Sequence, residues 1–177
     1  DDPMPEGALA GTCEDMCPES ERITRVEQND ISMFERVERS NHHVTSAALA
    51  VKKFTRIVDD CQPEQVRTRG AMQRSMEYLC TAVLDTKDFT FGQVHKFLWD
   101  RMRSIRQDLT LQYIKDKFSV RLHEQMVRFH IIAEHILCEE VATVQDPDGF
   151  NSHLNVEQLN KSLVTLFHMY AEHADRG

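Results

Sequence analysis

Between Phe97 and Leu109 the chain reads FLWDRMRSIRQDL, with Leu98, Met102, Ile105 and Leu109 separated by four, three and four residues. That spacing sets all four side chains on one stripe of a helix with 3.6 residues per turn, whereas a strand would split them between its two faces. Apolar residues recur at three and four along most of the sequence, period-two runs of β-branched residues are lacking, and glycine and proline are sparse. The expectation is an all-α fold of stacked antiparallel helical hairpins joined by short connections.

Local signals place the elements. Residues 1–10 (DDPMPEGALA) read as an extended lead-in, and residues 11–177 as the helical domain. Pro18 is placed as the first residue of a helix over 18–28, with Glu19 and Glu21 near the positive end of its dipole. Thr45 or Ser46 can cap a helix over 46–59 carrying Leu49, Val51, Phe54, Ile57 and Val58. Pro63 opens a helix over 63–84, DTKD (85–88) makes a turn, and a helix over 90–108 carries the stripe described above. Leu122, Met126, Phe129, Ile132, Ala133 and Ile136 define a helix over 119–140. The loop VATVQDPDGFNSHL, with Pro147 and Gly149, follows it, and Asn155 with Glu157 and Gln158 resembles a capping box opening a helix over 155–174.

A length of 177 residues suits one domain with a real core or part of a longer helical array. Residue 1 is aspartate, and the sequence shows neither a hydrophobic leader nor an apolar run of membrane-spanning length, so a piece of a soluble intracellular protein without membrane insertion is expected. The net charge of −8 is unevenly spread: residues 1–40 carry −7, residues 41–128 carry +5 and residues 129–177 carry −6. Bulk charge argues against nonspecific nucleic-acid binding by the whole chain, while leaving room for a local basic face in the middle.

Five cysteines and nine histidines put metal and redox chemistry to the test. Cys61, Cys80 and Cys138 are scattered through helix-like segments, as reduced core thiols are. His130 and His135, like His168 and His173, are five apart, which sets the rings about 140° apart around a helix instead of on one face. His123 and His130 share a face, yet among apolar neighbours they read as helix-surface or satisfied core residues. Cys13 and Cys17 in GTCEDMCPESER can offer two thiolates, but a zinc site needs two more ligands and only His42 and His43 are at hand. The favoured alternative has Thr12 capping one helical turn, both sulfurs tucked inward and Pro18 restarting the helix. Glycine-rich phosphate loops and G-x-S-x-G are absent, so no enzyme, small-molecule substrate, cofactor or metal is expected.

On the 97–109 helix, Trp99, Arg103 and Arg106 line one flank of the stripe, Arg101 and Asp108 the other, and Asp100 can orient Arg103 three residues on. Arginine beside tryptophan suits a partner surface, and an internal ion-pair lattice between helices is the competing assignment.

GTCEDMCPESER, AVKKFTR, FLWDRMRSIRQDL, HEQMVRFHIIAEH and LNVEQLNKS resemble, in that order, the germinal-centre-associated nuclear protein (GANP) family, over residues 11 to about 173. The resemblance implies a scaffold of the nuclear-pore-associated transcription-export complex. It would bind a PCI-domain subunit and a small acidic subunit in messenger RNA export, and would reside in the nucleus. The family domain begins with stacked helices and ends in a winged helix, which this chain is expected to stop short of; a weak RNA contact is compatible with that. Relatives acting at centrosomes or in splicing are the nearest alternative. On this reading Gly11, Thr12, Cys13, Cys17, Pro18, Glu21 and Arg22 form a fixed entry to the domain, and Trp99, Asp100, Arg101, Arg103, Arg106, Lys52, Lys53 and Arg56 organise partner or interdomain contact.

Overall fold

The computed structural model describes residues 8–56, 60–140 and 149–174. Residues 1–7 of the expected lead-in, Ile57 and Val58 of the expected second helix and Pro147 of the long loop lie outside the described residues. The fold is all-α: α1 (Glu19–Glu27), α2 (Arg69–Tyr78), α3 (Phe91–Leu111), α4 (Lys117–Leu137) and α5 (Ser152–Ala174). The chain divides into two compact units, Asp1–Thr86 with Asp100–Tyr113, and Lys87–Trp99 with Ile114–Gly177.

In the first unit α1 starts one residue later than expected. Pro18 is its N-cap, with φ −54° and ψ 140°, and its carbonyl accepts the first helical bond from Arg22 N (3.0 Å). Asn29 then takes a left-handed φ of 55°, which lets Asp30 N reach the Arg25 carbonyl (2.8 Å) and ends the helix.

The helix expected over 46–59 does not form over the described part, residues 46–56. Ser46 to Leu49 make a single turn, and residues 50–54 carry no helix or other regular element. The reason is competition for backbone donors: Val51 N donates to Glu35 Oε1 (2.9 Å), Lys52 N to the Met16 carbonyl (3.0 Å) and Lys53 N to Glu21 Oε1 (2.8 Å). Ala50, Val51 and Lys52 are buried in succession, which a non-helical segment crossing a core achieves and a surface helix does not.

The helix expected over 63–84 is broken for the same kind of reason. Pro63–Gln65 is one 3₁₀ turn, and residues 66–68 are extended because Cys13 pairs with them on both sides: Cys13 N donates to Val66 O (3.0 Å) and Thr68 N to Cys13 O (2.9 Å). Thr68 then caps α2, accepting from Ala71 N (3.2 Å), and α2 runs into a wide π turn at Leu79–Val83. Thr12 does not cap a turn either. Its N–H donates to Pro63 O (2.9 Å), so the entry segment is an extended strip along residues 63–68.

The stripe on α3 is as expected, with Leu98, Met102, Ile105 and Leu109 at most 2% exposed. Within the second unit α4 and α5 run antiparallel: Tyr170 Oη donates to Glu124, Asn155 Nδ2 to the carbonyl of His130, and Ser152 Oγ to Glu134, so the pairing advances on one helix as it retreats on the other. Val127, Leu166 and Met169 form their buried seam, with Val120 and Leu159 packed against it. Asp116 caps α4 by accepting from Phe118 N (3.0 Å) and Ser119 N (3.4 Å).

Two details differ from expectation. Ile132 and Ile136 are about half exposed, while Leu122, Met126, Phe129 and Ala133 are buried. The capping box does not fall on Asn155: Asn151 takes the cap role, its Oδ1 accepting from Leu154 N (3.0 Å), and Asn155 sits buried inside the helix.

Candidate functional site

The charged side chains of the first unit converge on two buried carboxylates. Glu35 lies in a short 3₁₀ turn, Met33–Glu35, fixed by Ser32 in a capping box, and is fully buried. Its Oε2 accepts from Arg25 Nη2, from Arg101 Nη2 (3.1 Å) and from Ser32 N (3.2 Å), while Oε1 takes Val51 N. Burial works against the Arg25 charge, but the hydrogen bond and charge of Glu35 outweigh it and hold the guanidinium above its ordinary pKa. Tyr78 is pushed up by burial and by the Glu35 charge.

Asp108 on α3 is the second anchor. It accepts from Lys52 Nζ (2.6 Å) and Arg67 Nε (2.7 Å), and Arg67, with no exposed surface, also donates to Ser104 Oγ (2.9 Å). Ser104 returns a bond to the Lys52 carbonyl (2.6 Å), closing a ring of side chains around the 50–54 segment. Charges this deep persist only when paired and hydrogen-bonded, and here each carboxylate has more than one cationic partner.

Three of the residues singled out on the basic segment, Arg101, Lys52 and Asp100, are partners in these networks. Arg101 and Lys52 are buried, and Asp100 pairs with Arg101. Lys53 is half-buried and pairs with Asp30 (2.7 Å). The others lie nearer solvent. Arg103 places its guanidinium carbon 3.7 Å from the centre of the Phe54 ring, Arg106 is half-buried and Arg56 is exposed. Trp99 belongs to the second unit, where its Nε1 donates to the Leu154 carbonyl (3.4 Å).

The entry motif is a docking strip of the first unit. Gly11 N donates to Gln112 Oε1 (3.1 Å), and a Cβ at Gly11 would stand 2.6 Å from the Val66 carbonyl oxygen, so only glycine fits that approach. Cys13 and Cys17 are buried free thiols, both pushed to higher pKa chiefly by burial. Arg22 pairs with Asp15 (2.7 Å), and Glu21 faces Arg25 (3.7 Å) besides receiving Lys53 N. Among the described residues no group of three or more His, Cys, Asp and Glu side chains is arranged to hold a metal ion, and no helix is long and apolar enough to cross a membrane.

Sequence reasoning overlooked Glu35 and Arg67, whose partners are remote in the chain. A signal was present for Arg101, Ser104 and Asp108: they fall at i, i+3 and i+7, on the edge of the apolar stripe, where polar residues must find buried partners.

The family model described as the SAC3/GANP family matches residues 16–177. SAC3 family protein B of Arabidopsis thaliana is 43% identical over 169 residues, covering 96% of this chain and 10% of the relative. Protein xmas of Drosophila melanogaster is 34% identical over 179 residues, covering 97% of this chain and 8% of the relative. SAC3 family protein 1 of Schizosaccharomyces pombe is 36% identical over 165 residues, covering 88% of this chain and 15% of the relative. The chain thus spans a small fraction of the length of the curated relatives it matches.

Proposed function

The chain belongs to the SAC3/GANP family, and from that premise we propose that it is a non-catalytic scaffold segment of a nuclear messenger RNA export complex, acting at the nuclear pore. Its partners are a PCI-domain subunit and a small acidic subunit. The observation that carries this reading is the family match across residues 16–177, which takes in both units. The chemistry of the first unit is in keeping with it: its buried cations are committed to Glu35 and Asp108, an arrangement that holds non-helical segments in place and has no reacting group at its centre.

Within that reading the proposed roles divide. Arg101, Lys52 and Asp100 are positioning residues that fix the 50–54 segment against α3. Arg56, Arg103, Arg106 and Lys53 supply the partner-facing charge, and any RNA contact is a weak one through the same arginines. The entry residues Gly11 to Arg22 serve as the anchor that the rest of the unit closes on.

Affinity capture of nuclear proteins on the tagged chain, read by mass spectrometry at moderate salt, tests the proposal. It requires a PCI-domain subunit together with a small acidic subunit among the retained proteins. Retention of splicing or centrosomal assemblies in their place would keep the fold and overturn the function.

A further inference from the structure

Three helical segments of the second unit meet at one amide. Asn155 on α5 has no exposed surface, and its Nδ2 donates to the His130 carbonyl (3.0 Å) and to Glu134 Oε2 (3.0 Å). Its Oδ1 is therefore the accepting end. His95 Nε2 on α3 lies 3.1 Å from that oxygen and His130 Nδ1 on α4 lies 2.8 Å from it, so both rings present N–H to a single acceptor. When neutral, His95 is thereby held as its Nε2–H tautomer and His130 as its Nδ1–H tautomer. His95 is 6% exposed, stacked on Phe129 (ring centres 5.5 Å apart) and met edge-on by Phe150 (5.0 Å).

We propose that this His95–Asn155–His130 junction is a proton-operated latch: it fastens α5 to α3 and α4 while the imidazoles are neutral and loosens when His95 takes up a proton from solvent.

The charge would be created between two phenyl rings, where burial is the main effect resisting it, and Lys96 on the same helix adds to that resistance. The added proton goes to Nδ1 and leaves the Nε2–H bond to Asn155 in place, so Asn155 on α5 and the Glu134 carboxylate on α4 favour the charge, and the loosening comes from burying it; His130 is the other titratable ring at the junction. The net direction is a lowered affinity for the proton in the folded state. An unfolded chain then binds more protons than the folded one just below the ordinary histidine value. The latch is fully stabilising above a pH of about 6.5 and loses strength as pH falls from there toward the folded-state value. Loosening would act at the N-terminal end of α5, where Asn155 sits, and would lower the stability of the unit.

The test compares the whole chain with its His95→Gln variant, whose amide N–H can reach Asn155 but cannot titrate. Urea unfolding followed by helical circular dichroism between pH 7.5 and 5.0 is expected to show the wild-type unfolding constant rising faster than the variant's below about pH 6.5, by up to about tenfold per pH unit. Parallel curves for the two proteins would overturn the latch. Should the variant not fold, imidazole nitrogen NMR of the wild type decides the matter. His95 still mostly neutral at pH 6, below the ordinary histidine value of about 6.5, supports the latch, and a His95 mostly charged at that pH refutes it.

Discussion

Replacing Glu35 by glutamine should unfasten the first unit. The carboxylate neutralises Arg25 and Arg101, which are 3% and 4% exposed, and also accepts from the backbone N–H groups of Ser32 and Val51. Glutamine is nearly isosteric but has one acceptor where Glu35 has two, so either Val51 N or the arginine pair would face an NH₂ group. Two guanidinium groups would then lose their shared buried carboxylate and keep only the more exposed ones, Glu21 and Asp30 near Arg25 and Asp100 beside Arg101. Removing one partner of a buried pair costs about 3–5 kcal/mol, against a total stability of about 5–15 kcal/mol. For a chain of this size each kcal/mol lowers the melting temperature by about 2–4 °C, so the expected fall is about 6–20 °C. Lys161→Ala is the control. Its partner Glu157 and it are both largely solvent-exposed, and the loss should be about 0–1 kcal/mol. Thermal unfolding followed at 222 nm measures both. A Glu35→Gln melting temperature within the range of the control would refute the assignment of Glu35 as the anchor.

Gly11→Ala should destabilise by about 1–3 kcal/mol, because its Cβ would meet the carbonyl oxygens of Val66 and Arg67 at 2.6 and 2.9 Å. Gly70→Ala, in the first turn of α2 with its nearest atoms Arg74 Nη1 at 3.4 Å and Thr68 Oγ1 at 3.9 Å, should instead stabilise by about 0.4–1 kcal/mol; denaturant midpoints of the two variants check the opposite signs. Alkylation by iodoacetamide at pH 8 should label the exposed Cys138 and spare Cys13 and Cys17, since burial raises both of those thiols and leaves little thiolate to react; equal labelling by mass spectrometry would contradict it. Met169→Ala, in the seam between α4 and α5, should cost about 2–5 kcal/mol. Phe167→Ala, at a side chain 73% exposed, should stay within about 0.5 kcal/mol on the same urea assay.

The helices that survived from sequence to structure are those whose apolar stripe is long and whose backbone donors have no better acceptor. The Leu98 to Leu109 stripe is of that kind, and so is the buried face of α4 at Leu122, Met126, Phe129 and Ala133. The segment 46–59 shows the opposite case. It has helical spacing in sequence at Val51, Phe54 and Val58, but Glu21, Glu35 and Met16 supply acceptors that no local pattern reveals. In sequence Asn155 resembles a cap because Glu157 and Gln158 follow it as in a capping box; its buried role depends on His95, sixty residues away. The basic segment was visible as charge, and the division into buried Arg101 and Lys52 and solvent-facing Arg56 was not. That division is set by Glu35 and Asp108, one of them 66 residues from its arginine and the other 56 from its lysine.

The most direct test of the scaffold reading is co-expression of this chain with the PCI-domain subunit and the small acidic subunit proposed as its partners. Size-exclusion chromatography with light scattering then gives the mass of what elutes. A single species whose mass equals the sum of the three chains is the result the account predicts. Separate elution of the chain from a folded pair of the other two would contradict it.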